Sequence, residues 1–387
     1  YSIVGSGASG TGLSNYSITY ADGTLVVNPA SLTITANGAT KTYGNSINLT
    51  GFTSSGLVNG DSISGVSLTS GGSGTLVNVG SYSIVGSGAS GTGLSNYSIT
   101  YADGTLVVNP AALVITASGA TKTYGNSINL TGFTSAGLVN GDSVSGVSLV
   151  SGGSGTLANA GSYSIVASGA SGTGLSNYSV TYADGTLVVN PAALTITASG
   201  ATKTYGSSIN LTGFTSSGLV NGDSLSGVNL VSGGSGTLAN AGSYSIVGSG
   251  ASGTGLSNYS ITYADGTLVV NPAALTITAS GATKTYGNSI NLTGFTSSGL
   301  INGDSVSGVS LTSGGSGTIA TVGSYSIVAS GATGTGVSNY SITYADGTLV
   351  VNPAALVITA SGATKTYGNS INLTGFTSNG LVNGDSV

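Results

Sequence analysis

Lysine, aspartate, asparagine and tyrosine carry nearly all the chemistry open to this chain. Lys41, Lys122, Lys203, Lys284 and Lys365 are its only basic residues, and each opens the same Lys-Thr-Tyr-Gly run at intervals of 81 positions. A lysine kept neutral by burial can condense with an asparagine or aspartate side chain when a carboxylic acid assists. Asn45, Asn48, Asn59, Asp22 and Asp61 supply those ingredients. The five lysines are therefore candidates for intramolecular isopeptide bonds, each of which would remove an ammonia or a water from the intact mass. The plainer reading is a lysine at a strand edge, or an ion pair worth little if exposed.

Asp22, within Ala-Asp-Gly, and Asp61, within Asn-Gly-Asp, are the candidate calcium ligands. Calcium takes six to eight oxygens, and two isolated carboxylates supply too little charge for a strong site, so turn-forming aspartate is the alternative. Gly5-Ser-Gly7-Ala-Ser-Gly10 fits the spacing of a dinucleotide loop. The residues that follow read as strand and not as the helix that such a loop must open, which leaves a flexible loop. Without histidine there is no catalytic triad, and without glutamate no Asp/Glu pair. The expectation is a protein that is not an enzyme and that takes no cofactor.

Charged residues make up 4% of the chain, against about 25% in an ordinary soluble domain. Such a surface is wetted by hydroxyls and amides and has little charge repulsion to keep copies apart, so self-association, lateral or end to end, is the expected partnership. With one lysine and two aspartates per repeat, nothing neutralises phosphates, which argues against nucleic acid. No apolar run reaches the length of a membrane span, so this segment is not expected in lipid. High hydrophobicity with low charge is the reverse of the disordered signature, and the chain should fold. Zero cysteine removes disulfides and thiolate metal sites.

The elements that must position these residues recur with the same 81-residue period. The working boundaries are 1–28 (the end of one repeat), 29–109, 110–190, 191–271 and 272–352 (whole repeats) and 353–387 (the start of another), which reads as a window in a longer array. Within 29–109, the alternating runs at Leu32–Thr35, Ile47–Thr50, Val66–Leu68 and Tyr82–Ile84 predict half-buried strands. Tyr97–Tyr101 and Thr105–Val108, separated by Ala-Asp-Gly, predict a hairpin with Gly104 at positive φ. Ser70–Gly74 and Gly86–Gly91 read as loops, and Thr53–Asp61 as the place for a short helical turn. Copy-to-copy differences place the Ile63 position inside and the Ser55 position outside. The joint Val108-Asn-Pro-Ala-Ala112 lacks glycine, and proline fixes one backbone angle, which predicts a stiff connection. Four tyrosines per repeat could tie strands together when buried, or stack on sugar rings or another chain when exposed. Asn15-Tyr-Ser17 and Asn48-Leu-Thr50 match the N-glycosylation pattern, but both fall in strand-like segments.

At Lys41-Thr-Tyr-Gly-Asn45 and from Tyr16 through Ala-Asp-Gly to Pro29-Ala30, the chain resembles the MBG-type repeats of the YGX variety. That resemblance, copy after copy, implies an extracellular or cell-surface protein of bacteria, a secreted adhesin with suggested binding to surface glycans. The near-identity of the copies and the poverty of charge depart from typical members and favour a monotonous structural fibre. The expected fold is all-β: a tandem array of small β-sandwich domains, Ig-like or related β-grasp-like, forming an extended rod or filament. The expected function is a stiff adhesin stalk, and the alternative is a set of glycan- or mucin-binding repeats acting by avidity.

Overall fold

The computed structural model covers residues 1–387 and is all-β, with one short 3-10 turn per repeat and no α-helix. It divides into two compact units, Tyr1–Asn190 and Pro191–Val387, each described here by itself. In the first unit, repeat 29–109 has seven strands: β1 (Ala30–Ala36), β2 (Ala39–Thr42), β3 (Phe52–Ser55), β4 (Ser62–Thr69), β5 (Gly80–Thr92), β6 (Tyr97–Ala102) and β7 (Gly104–Asn109). The same labels serve for the counterparts in the other complete repeats.

These strands form a three-stranded sheet in the order β3-β1-β6 and a four-stranded sheet in the order β2-β7-β5-β4. β1 alternates as its sequence requires, with Leu32, Ile34 and Ala36 buried and Ser31 and Thr33 facing water. Its neighbours lie antiparallel on one side (Thr33 opposite Ser55) and parallel on the other (Leu32 opposite Ile99). Leu32, Ile34 and Tyr97 form one part of the core with Ile63 and Val66 packed against it. Ala36, Ile84 and Leu106 form the other part, covered by Ile47 and Leu49.

The predicted hairpin does not form. β6 and β7 are joined through Asp103 but lie in different sheets: β6 pairs with β1, whereas β7 pairs with β2 in parallel and β5 in antiparallel. The chain passes from sheet to sheet five times, and the two shortest crossings, at Asn37–Gly38 and at Asp103, run side by side. Gly104 is needed there for close approach and not for positive φ, since a Cβ on it would stand 2.5 Å from the Ala36 carbonyl oxygen. A local turn signal loses to non-local pairing because the parallel arrangement buries Leu32 and Leu106 completely.

Gly86–Gly91 is likewise not a loop but the second half of the thirteen-residue β5. It pairs with β4 through register shifts on either side of Gly65, and a Cβ on Gly91 would stand 1.9 Å from the Ser62 carbonyl oxygen. The glycines let the bulged backbones approach. Ile47–Thr50 belongs to no strand, though the Ile47 amide is held by the Ser73 carbonyl at 3.1 Å. The helical turn falls at Leu94–Asn96, not in Thr53–Asp61. That second segment holds β3 and then a Val58-Asn-Gly-Asp61 turn, closed by the Asp61 amide on the Val58 carbonyl at 3.0 Å, with Asn59 and Gly60 both at positive φ. This is the type I′ geometry that Asn-Gly favours.

β7 of one repeat ends at Asn109, and after Pro110 β1 of the next begins at Ala111. In the second unit, β7 ends at Asn271 and β1 begins at Ala273. Each sheet of a complete repeat draws its strands from that repeat alone. Residues 1–28 and 353–387 each carry only one two-stranded pairing: Ser2–Ile3 with Gly23–Thr24, and Val357–Ala360 with Phe376–Asn379.

Candidate functional site

The most densely constructed polar site of the first unit lies where repeat 29–109 meets repeat 110–190. Tyr43, directly after β2, is buried, and its hydroxyl donates to Asp142 Oδ2 of the next repeat at 2.9 Å. Asp142 closes the Asn140-Gly-Asp turn, and Tyr178 at the start of β6 donates to the same oxygen at 2.9 Å. The Tyr178 hydroxyl also accepts from the Val139 amide at 2.9 Å. The two rings meet edge to face, with centroids 5.5 Å apart and planes at 79°, the arrangement that aromatic quadrupoles prefer. Gly44 is held at φ +87, and a Cβ there would stand 2.7 Å from Val139 Cγ2, so only glycine lets the turn of the next repeat seat against this one.

Two amides finish the joint. Asn140 Nδ2 donates to the Thr75 carbonyl at 2.9 Å. Buried Asn177 accepts from the Val79 amide at 2.9 Å and donates to Asn78 Oδ1 at 3.0 Å.

The second unit repeats this construction between 191–271 and 272–352. Tyr205 and Tyr340 both donate to Asp304 Oδ2 at 2.8 Å, with ring centroids 5.6 Å apart. Asn302 reaches the Thr237 carbonyl at 2.9 Å, and Asn339 accepts from the Ala241 amide at 2.9 Å. Ile301 replaces Val139, and a Cβ on Gly206 would stand 2.1 Å from its Cδ1. Burial, with a further contribution from the adjacent aspartate, pushes the Tyr178 and Tyr340 hydroxyls above the usual tyrosine range, so both remain neutral donors.

The lysines occupy a different place. Lys41, Lys122, Lys203 and Lys284 are buried, although each sits on β2, an edge strand. Their ammonium groups donate to main-chain carbonyls: Lys122 to Asn126 at 2.8 Å and Gly155 at 2.7 Å, and Lys203 to Ser207 at 2.9 Å and Gly236 at 2.8 Å. Lys284 bonds the carbonyls of Asn288 and Gly317, and Lys41 those of Asn45 and Gly74. Ser207 stands where the other repeats have asparagine, and the contact survives because it is to backbone. No asparagine or aspartate side chain is among the hydrogen-bond partners of these four ammonium groups. Burial pulls Lys41, Lys122 and Lys203 below the usual lysine range. Lys365 is exposed.

The two aspartates of a repeat part company. Asp61 accepts from Tyr97 at 2.9 Å, and Asp184, of the Ala-Asp-Gly class, accepts from Ser164 at 2.7 Å. Asp22, exposed, accepts from Ser2 at 2.8 Å. No group of three or more histidine, cysteine, aspartate or glutamate side chains comes together. Sequence reasoning missed the pairing of Tyr43 with Asp142, because the partners lie 99 positions apart and in different repeats. Lys-Thr-Tyr-Gly and Asn-Gly-Asp stay unchanged in every copy, but so do Ser-Ile-Asn-Leu-Thr-Gly-Phe-Thr-Ser and Ala-Asp-Gly-Thr-Leu-Val-Val-Asn-Pro-Ala, so nothing in the sequence singles the pair out.

A small cleft recurs in the complete repeats, lined by residues such as Ala120, Asn129, Leu130, Thr131 and Leu149. Its volume is about 150 Å³ there, 160 Å³ in 191–271, 140 Å³ in 272–352 and 270 Å³ in 29–109, and in 110–190 a more open cleft of about 510 Å³ adjoins it beside Ile128, Val150 and Ser151. Pockets that enclose small ligands usually measure about 300–1,000 Å³. None of the lining residues is aromatic. No helix of the chain is long and apolar enough to cross a membrane.

The MBG domain of the YGX type matches the chain four times, over residues 32–107, 113–188, 194–269 and 275–350. No curated protein matches it in sequence. Among solved structures, Drosophila N-cadherin EC1-4 is similar over 83% of this chain and 99% of its own, at 11% identity and a TM-score of 0.24. The three N-terminal domains of the bacteriophage RB49 Highly Immunogenic Outer Capsid protein are similar over 75% of this chain and 99% of their own, at 11% identity and a TM-score of 0.20. Domains 1-6 of the surface layer protein SbsC are similar over 91% and 60%, at 14% identity and a TM-score of 0.18.

Proposed function

The chain belongs to the family of YGX-type MBG domains, and from that premise we propose that it is a structural, non-catalytic repeat protein of the cell exterior. In this reading it is an adhesin stalk or filament of bacterial origin that spans distance and associates with copies of itself. The observation that carries the reading is the joint. Two tyrosines and one aspartate, contributed by two successive repeats, lock a proline connection that is already short, and the same construction stands in both units. A hydrogen bond to a charged group contributes about 1.5–3 kcal/mol, enough to hold neighbours in one orientation. Freely hinged beads would need none of these residues, and the flanking glycines would tolerate a side chain.

The alternative, glycan binding by avidity, has less behind it, because none of the clefts carries an aromatic side chain on which a sugar ring could stack. Two measurements on the full chain separate the readings. Small-angle scattering should show segmental flexibility rising when Asp142 and Asp304 are both changed to asparagine, and an immobilised-glycan screen should retain nothing. Retention on a defined sugar, with scattering indifferent to the aspartates, would replace the stalk by the glycan-binding module.

A further inference from the structure

Each complete repeat ends its two sheets on four edges, and three of them carry features that discourage pairing with another strand. β3 is only four residues long. β2 is also four residues, and its Lys41 points inward to main-chain carbonyls. β4 is longer but is broken by register shifts around Gly65. Short edges, inward lysines and bulges are known protections against edge-to-edge association. β6 has none of them. Tyr97–Ala102 is six residues without charge, proline, glycine or bulge, and it pairs with β1 on one side only. It recurs as Tyr178–Ala183, Tyr259–Ala264 and Tyr340–Ala345, altered only by Val180 for Ile99.

We propose that β6 is the self-association surface of this protein and that its partner is β6 of a second copy, added antiparallel about a two-fold axis so that two three-stranded sheets join into one of six strands. The inference rests on the structural reading above and names the edge by which copies meet. Only an open strand edge complements an open strand edge, and a two-fold pairing uses the same patch twice. The charges select the direction. A parallel pair would set Asp103 beside the same aspartate of the other copy, and like charges placed opposite each other are destabilising. An antiparallel pair centred on Ile99 sends the two Asp103 to opposite ends and brings exposed Ser98 opposite exposed Thr100, a hydroxyl pair of the kind that supports sheets.

The test is sedimentation of the full chain over a range of concentrations. The wild type should associate, and the quadruple change Ser98→Lys, Ser179→Lys, Ser260→Lys and Ser341→Lys should leave it monomeric with its melting temperature unmoved. Four lysines on β4 instead, Ser67→Lys, Ser148→Lys, Asn229→Lys and Ser310→Lys, add the same charge and should leave association intact. Amide exchange of the wild type needs no substitution: the outward-facing amides, every second one in Ser98–Ala102 and its counterparts, should slow as concentration rises. A wild type that stays monomeric, or β6 amides whose exchange ignores concentration, overturns the pairing while leaving the stalk reading and its joints standing. Association lost equally with the β4 lysines would also overturn it, by making charge and not the edge responsible.

Discussion

Residues 272–287 and 353–368 are nearly the same sequence in two surroundings. In the complete repeat 272–352, Leu275 and Ile277 are sealed, Ala282–Thr285 is a strand, and Lys284 is buried. In 353–387, Leu356 is 43% exposed and Ile358 54%, Ala363–Thr366 is not a strand, and Lys365 lies open. What persists is the antiparallel pair, Thr276 opposite Ser298 in one and Val357 opposite Asn379 in the other. β1 and β3 pair in both, whereas β2, the buried lysine and the sealed core occur where β6 and β7 supply parallel partners from some sixty-seven positions downstream.

A second gradient concerns the joint. Tyr205, followed by a complete repeat, is 5% exposed; Tyr286, followed by the shorter 353–387, is half-buried; Tyr367 is fully exposed. The tyrosine of Lys-Thr-Tyr-Gly therefore completes its burial only against a complete following repeat.

The strongest way to break the first contrast is to weaken the late strands. Leu349→Ala, in β7 of the last complete repeat, should cost about 2–5 kcal/mol in chemical denaturation and make Lys284 as reactive toward amine reagents as Lys365. For the second contrast, Tyr205→Phe should cost about 1.5–3 kcal/mol, because Asp304 loses one of two donors, while Tyr286→Phe should change stability much less. Lys284→Met should cost about 1–3 kcal/mol by leaving the Asn288 and Gly317 carbonyls without their donor, as read by chemical denaturation. The smallest effect concerns pH. Tyr178 and Tyr340 hold their protons more tightly folded than unfolded, so their contribution is complete below the ordinary tyrosine value of about 10 and is lost as pH rises through the higher folded value. The depressed lysines act oppositely in the same range: their burial costs most when they are charged, and that cost is relieved as pH rises. A Tyr178→Phe, Tyr340→Phe chain should consequently lose less stability than the wild type on going from neutral pH to above about 10 in a melting series.

Much of the strand content could be read from period-two alternation, as at Leu32–Thr35 and Val66–Leu68, because one face of each strand meets the core. The partner of each strand could not. Tyr97–Val108 has every local mark of a hairpin, yet the two halves separate into different sheets, where each takes a parallel neighbour and Leu32 and Leu106 are sealed. Gly86–Gly91 reads as loop because glycine is common in loops, and it is strand because the Ser62 backbone leaves no room for a Cβ. Asp61 reads as a turn residue, which it is, but its carboxylate also receives a tyrosine. In Asp142 and Asp304 that carboxylate receives a second tyrosine, from a repeat that no local pattern could indicate.

The central claim is that this shared carboxylate couples adjacent repeats. A double-mutant cycle of Tyr205→Phe and Asp304→Asn, read as unfolding free energy, tests it most directly. The account predicts a coupling of about 1.5–3 kcal/mol between the two side chains. Strictly additive effects would contradict it.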